Sequence, residues 1–559
     1  MIIEVVPLIK LPRRFSVFDY QAPNDVCVGD VVRASFRRRP IFAVVTATKT
    51  ASTEKRLLAI EHVASRAVLN QEDITRLFTV ARANVQSPSA IFTQAVLLAA
   101  AAPIPFVTPR RRISIDPARL PAIQFATNAL KNGSQTFQLS LDESFLFTLA
   151  VAKHEKRQVL ILVPRERDVA VVAESLPLGA NTAVWHGHIP KRKRAELALA
   201  WRKGTIKTLI ATRQASLLPA KHLGAVIVLE AGNDEHRNER RNPRYDARHA
   251  VKLLAAQHGA KLAMIDVLPR PEDVVNQSAT WNAWERPELI DLTQRAEHGQ
   301  IPLVSSTLEE KIKTALQSQK KVLLFMNRKG VAKRLQCGAC GHIPFCGTCG
   351  NYPTVRVDDL VCERCGAEMW LPKACPACGS PKIGMRGLGG ARLEHDLTKV
   401  FPEATVARVE KGHPVTQADI LLVTEYFFSS VHEPFTKRFG LVADIMADMG
   451  FVSSDFRSAE NVARKIARLM ALAADQQAPC VIQTFARVAV DPLLSPKAFI
   501  LEECRERERY NLPPFSTIAH LREGETQHQV RIKPDDRTTE LSKLNELPDS
   551  TIISLDNPV

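Results

Sequence analysis

Eight of the eleven cysteines in this 559-residue chain lie between Cys337 and Cys378, as four C-x-x-C pairs: Cys337/Cys340, Cys346/Cys349, Cys362/Cys365 and Cys375/Cys378. Two thiolates at that spacing reach one tetrahedral metal ion, and the knuckles CGACG, CGTCG and CPACG turn backbone N–H groups toward the sulfurs. Four pairs satisfy two closed zinc sites, so a two-Zn²⁺ module is expected over residues 336–382. A disulfide framework would need an oxidising compartment. The N-terminal MIIEVVPLIKLPRR puts its apolar residues ahead of its basic ones, the reverse of a secretory leader. Four adjacent pairs also suit structural zinc better than redox chemistry. Each zinc contributes on the order of 10 kcal/mol to folding such a module. Cys27, Cys480 and Cys504 stand apart and read as ordinary thiols.

Around this module the apolar pattern alternates between strand and helix. The runs VLILVP, TLIAT, AVIVLE and KLAMIDV are separated by helical stretches such as KRAELALAWRKG. A second alternating block runs from KVLLFMN through ILLVT and FGLVADI to CVIQTF, with the cysteines inserted after its first strand. Buried strands alternating with helices predict parallel sheets. The first residues differ: IIEVVPL, VVRASF and IFAVVTA are short β-type runs broken at Asn24-Asp25 and Gly29-Asp30, followed by a helical stretch over roughly Gln71 to Ala102. The expected class is an α/β multidomain chain. It divides into a β-rich domain (1–105), a first parallel-sheet lobe (106–300), a second lobe carrying the cysteine insertion (301–490) and a short α/β tail (491–559).

The net charge of +16 points to a polyanionic partner, because Lys and Arg release counterions when they neutralise phosphates. The longest apolar patch, Ala95 to Val107, is too short to span a bilayer and holds two prolines. No membrane role is expected, and a cytoplasmic, nucleoid-associated location is.

Several stretches together resemble the PriA family of replication restart proteins: NRKGVAKRLQCGACG before the cysteines and RGLGGARLEHDLTKVFP after them, SSDFRSAEN at Ser453–Asn461, NLPPFS at Asn511–Ser516, and FDY at Phe18–Tyr20. IATRQASLLPAKHLGAVIVLE and PRYDAR fit the same family's first motor lobe. The resemblance implies two RecA-like helicase lobes, an inserted double zinc ribbon and an N-terminal module that binds the 3′ end of a leading strand. It implies action at abandoned replication forks, where the replicative helicase is reloaded. It assigns Cys337, Cys340, Cys375 and Cys378 to one zinc and Cys346, Cys349, Cys362 and Cys365 to the other. It also matches Asp19 to the acidic residue that meets the terminal nucleotide. The family's pocket glycine is Arg37 here, and Arg37, Arg38 and Arg39 form a candidate phosphate-binding run.

The motor motifs depart from the family. A P-loop uses glycine backbone to approach phosphates and a lysine to neutralise them. Here TFQLSLDESFLF (Thr136–Phe147) has neither, and an Asp142-Glu143 pair stands where the lysine is expected. Ser144 stands where a residue could face Mg²⁺, but a lone serine there reads as an ordinary helix residue. The acidic box Asp-Glu-Glu-His becomes Glu230-Ala231-Gly232-Asn233, and the following Asp234–His236 reads as a loop rather than a replacement base. Gly-Ser-Ala-Thr-Pro becomes IDVLP (Ile265–Pro269). The last motif, Gln-x-x-Gly-Arg-x-Gly-Arg, becomes RLMALAAD (Arg468–Asp475), losing its arginines to Leu472 and Asp475. Losing one arginine finger alone costs roughly 10³–10⁵ in rate. No catalytic or nucleotide-binding residue is therefore assigned, and ATP is not expected as a cofactor. The linker after the first domain leaves no room for the family's winged helix, and the tail is shorter than its C-terminal domain.

The expected function is a fork-binding scaffold for replication restart without helicase activity. Its partners would be forked or single-stranded DNA, primosome proteins, the replicative helicase or its loader, and single-strand binding protein. The competing readings are an ATP-dependent 3′-to-5′ DNA helicase and a zinc-dependent RNA- or polymerase-binding protein.

Overall fold

The computed structural model describes residues 1–559 apart from 16, 53–55, 99–105, 107–119, 132, 180, 276–277, 296–303, 327–333, 341, 343, 349–352, 356–358, 363–364, 387–389, 411–416, 431–435, 452–455, 525 and 557–559. The chain opens with a five-stranded antiparallel sheet, ordered Phe18–Gln21, Ile2–Pro7, Arg39–Lys49, Val31–Phe36, Ile60–Ser65. The expected helical stretch after it is two helices, Gln71–Ala83 and Pro88–Ala95. The break falls where Asn84 caps the first helix and Pro88 opens the second, since proline cannot continue a helix but suits its first turn. These helices dock the domain on the first lobe. Leu77, Val80 and Phe92 share one core with Trp185, Leu217 and Leu254. The buried Arg76 donates to Gln257 Oε1 (2.8 Å) and to the carbonyls of Ser216 and Leu217.

The first lobe is a seven-stranded parallel sheet in the order Ala279–Thr280, Gln135–Gln138, Lys261–Asp266, Leu223–Leu229, Gln158–Leu162, Thr208–Ala211, Thr182–Trp185. Every residue of the strand Leu223–Leu229 is buried, as expected of a strand covered on both faces. The second lobe is a six-stranded parallel sheet, ordered Glu288–Asp291, Cys480–Thr484, Phe439–Asp444, Lys321–Phe325, Ile420–Val423, Val406–Val409. Its first strand precedes residue 300, where sequence alone put the lobe boundary. Glu-Leu-Ile-Asp is a short edge strand with acidic ends and leaves no apolar run to recognise.

The cysteine insertion is built from the antiparallel pair Arg334–Cys337 and Ile383–Arg386 and a small three-stranded sheet over Thr354–Trp370. The tail forms a three-stranded antiparallel sheet, Thr526–Ile532, Thr517–Glu523, Ile552–Asp556, with the helix Arg537–Glu546. This sheet folds back onto the first domain. Arg13 donates to the carbonyls of Leu547 and Pro548, and Val85 packs among Ala519, Leu544 and Ile553. No described helix is long and apolar enough to cross a membrane.

Candidate functional site

The strand Gln135–Gln138 runs almost directly into the helix Leu141–His154, leaving only Leu139 and Ser140 between them. A helix start presents unpaired N–H groups and a positive dipole end, and therefore attracts an anion. Here the chain supplies the anions itself. Ser140 and Glu143 form a reciprocal capping box. Asp475, from the second lobe's helix Ser458–Gln476, accepts from Ser140 Oγ at 2.6 Å and from the Asp142 N–H at 3.4 Å. Asp475 is buried. At this position the resemblance assigns an arginine that meets phosphate; the charge is reversed and the carboxylate binds the helix start instead. Ser144 Oγ donates back to the Ser140 carbonyl at 2.5 Å, so it serves the helix backbone.

Glu230, where the resemblance expects the acidic box, anchors a second set of contacts across the same cleft. Glu230 lies past the strand end with a left-handed φ of 48°, a costly conformation for a non-glycine residue. Its carboxylate takes Arg165 at 2.6 Å and, from the second lobe, Arg468 at 3.4 Å. Burial opposes its charge, but Arg165 and Arg468 hold it below the usual carboxylate range. Burial and the charge of Glu230 push the neighbouring Asp168 up to about 6 despite its contact with Arg165. Gly232 explains itself sterically: a Cβ there would meet Arg464 Nη1 at 2.0 Å. The missing side chain admits that guanidinium, which pairs with Asp266 (2.8 Å) and Glu460 (2.6 Å) while the Gly232 N–H donates to Asp266. Asp234–His236 is a short 3₁₀ turn, with Asp234 and Glu235 exposed. His236 is buried against the Leu229 carbonyl, and burial with Arg248 nearby lowers its pKa to about 4. Leu472, where the resemblance expects another arginine, is in the second lobe's core.

Further along the lobe junction, Glu272 receives Arg457 (2.7 Å) and Arg507 (3.5 Å), and Arg507 also reaches Glu460 (2.5 Å) and Glu503 (2.9 Å). Arg457 and Arg237 both bind Asp556 of the tail. Between the lobes remains a cavity of about 760 Å³, lined by Phe145, Val172, Glu230, Phe428, Arg468 and Asp475 among others. Sequence reasoning assigned no role to Arg165, Arg457, Arg464 or Arg507. The available signal was Arg457, Arg464 and Arg468 at helical spacing ahead of Asp475, next to a glycine in the acidic box.

The described cysteines of the four pairs gather into two groups. Cys337, Cys340, Cys375 and Cys378 have ligand atoms within 4.8 Å of one another, and so do Cys346, Cys362 and Cys365; Cys349 lies outside the described residues. Three sulfur pairs, Cys337–Cys378, Cys340–Cys375 and Cys346–Cys365, are 3.6 Å apart. Zinc–sulfur bonds of about 2.3 Å set tetrahedral sulfurs roughly 3.8 Å apart, so the donors fit such an ion. Gly366 and Gly379 adopt positive φ at the knuckles and close the Cys362 and Cys375 turns by hydrogen bonds. Burial tends to raise the Cys337 thiol, but the Cys340 and Ala339 N–H groups and neighbouring thiols lower it to about 7.

In the first domain, Asp19 accepts from Lys49 Nζ (2.9 Å) and Ser52 Oγ (2.6 Å), and Lys49 also holds Glu4. Burial works against the Asp19 charge, but these partners lower its pKa. Arg37 and Arg38 are the two central residues of a tight hairpin, both at positive φ (50° and 62°), and Arg37, Arg38 and Arg39 are exposed. Phe36 beneath them packs edge-on against Phe18, next to Asp19.

A family model described as the 3′DNA-binding domain (3′BD) of PriA matches residues 6–97. The replication restart protein PriA of Haemophilus influenzae is 28% identical over 411 residues, covering 66% of this chain and 55% of that protein. That of Bacillus subtilis is 25% identical over 419 residues, covering 67% and 51%. The chain thus spans about half the length of the curated relatives it matches. A solved Mycobacterium smegmatis helicase Lhr aligns with 67% of this chain and 48% of its own at 13% identity, with a TM-score of 0.33, and adds nothing to the sheet topology above. In its first domain the chain matches the PriA 3′DNA-binding domain, and over about two thirds of its length it is similar to PriA replication restart proteins.

Proposed function

We propose that the chain is a non-hydrolysing DNA-binding scaffold of replication restart, which grips branched DNA at abandoned forks and helps reload the replicative helicase. The observation that carries this reading is Asp475 on the start of the helix Leu141–His154. A carboxylate of the second lobe takes the place a nucleotide's phosphate would need, in a site without the glycines and lysine of a phosphate cradle. The lobes therefore close on each other's charges rather than on ATP. Two Zn²⁺ ions hold the cysteine module, which is the docking site for primosome proteins, the helicase loader or single-strand binding protein. Asp19 and Arg37–Arg39 contact DNA, Asp19 at an available 3′ end. The protein works in the cytoplasm at the nucleoid.

The test is affinity for forked, flush and single-stranded DNA with and without ATP, run beside DNA-stimulated ATP hydrolysis. Preference for forks, no response to ATP and no turnover are expected. Turnover that disappears in a Glu230→Ala control would overturn the scaffold and restore an ATP-driven helicase.

A further inference from the structure

Away from the cysteines, three metal-ligating side chains meet at the edge of the first lobe. The strand Thr182–Trp185 is the outermost of its sheet, and the chain leaves it through His186, Gly187 and His188. Beside this exit the helix Glu166–Ser175 begins, with Glu166 as its first residue. Both histidines turn Nδ1 toward the one carboxylate: His186 Nδ1 to Glu166 Oε1 and His188 Nδ1 to Glu166 Oε2. All three ligand atoms lie within 4.8 Å of one another. His186 Nδ1 is buried and makes no hydrogen bond, although it sits against the carboxylate. A buried nitrogen facing an acceptor without bonding it is poorly placed as a donor and well placed as a ligand. Gly187 has nothing within 4 Å of the position its Cβ would take, so the two histidines flank an uncrowded bend.

We propose that Glu166, His186 and His188 form a binding site for a divalent transition-metal ion, with zinc the best match. Two imidazoles and a carboxylate favour zinc, copper or nickel over magnesium or calcium, which take all-oxygen shells. Zinc–nitrogen and zinc–oxygen bonds of about 2.0–2.2 Å set donors roughly 3.3 Å apart, within the 4.8 Å span of these three atoms. The His188 side chain is 87% exposed, so water completes the coordination. The site differs from the cysteine pairs in donor chemistry and in keeping open positions. A bound ion would fasten the sheet edge to the start of a helix whose preceding residue, Arg165, holds Glu230 in the cleft.

The experiment counts metal in the full-length chain after equilibration with micromolar zinc and gel filtration, beside His188→Ala and Glu166→Gln variants. His188 is at the surface, so circular dichroism of its variant should match the parent. The parent should carry one zinc more than either variant. Its affinity for that exchangeable ion should exceed theirs by at least about tenfold. In a cobalt-loaded parent, the ion lost from the variants should lack sulfur-to-metal charge-transfer absorption, which separates it from the cysteine sites. Equal metal content in all three proteins overturns the site, as does a charge-transfer signature for the missing ion.

Discussion

Arginines crowd two regions of this molecule and do opposite things there. At the lobe junction, Arg464 and Arg507 are buried and each bonds two or three carboxylates. On the hairpin of the first domain, Arg37, Arg38 and Arg39 are exposed in a turn whose geometry favours asparagine and glycine. The buried set is consumed by the fold: its charges are neutralised from within and have nothing left for a ligand. The hairpin set costs backbone energy, because a left-handed non-glycine residue is disfavoured by about 1–3 kcal/mol, and its charge is available to a phosphate backbone. The same residue type is therefore architecture in one place and a candidate contact in the other, and its surroundings decide which.

This contrast can be broken most severely at Arg507. Its side chain is fully buried among Glu272, Glu460 and Glu503, so Arg507→Ala leaves carboxylates without their counter-charge. The expected loss is about 3–5 kcal/mol in chemical denaturation, with loosening of the tail as well as of the junction. An unchanged midpoint would show that the network is ornamental. Acid attacks the same charges from the other side. Arginine and histidine partners hold Asp556, and arginines hold Glu272, well below their ordinary values of 3.8 and 4.5, against the cost of burial. Carboxylates depressed by folding contribute stability that is complete above those ordinary values and disappears as pH falls below them. Unfolding midpoints followed downward from pH 5 should therefore drop, and the drop should be shallower in a Glu272→Gln variant that has already lost one such charge.

The smallest change in stability is expected at the hairpin, with the sign reversed. Arg37→Asn with Arg38→Gly suits the tight turn and should stabilise the first domain by about 1 kcal/mol. The same double variant should bind forked DNA more weakly and flatten the salt dependence of log affinity by about two. A stabilised protein with unaltered salt dependence would remove the hairpin from the DNA interface.

Much of this was legible in one dimension. The four C-x-x-C pairs mark candidate tetrahedral metal sites because two residues of separation already bring two sulfurs within reach of one ion. The buried runs Val226–Leu229 and Leu323–Phe325 announce parallel strands, and the stretch between Ser134 and Glu155 holds no glycine to build a phosphate cradle. The strand Glu288–Asp291 was missed because it is too short and polar at its ends to show a pattern. What occupies the start of the helix Leu141–His154 was also out of reach of sequence. Ser140 and Asp475 are 335 residues apart, and Glu272 and Arg507 are 235 apart. Spacing along the chain encodes what covalent geometry brings together within a turn or a strand. Which carboxylate meets which guanidinium across the cleft depends on how the two sheets dock, so the sequence alone determined the cysteine spacing and the absence of glycine between Ser134 and Glu155, while only the tertiary structure decided that Asp475, Arg464 and Arg468 of the second lobe would bridge the cleft to the first.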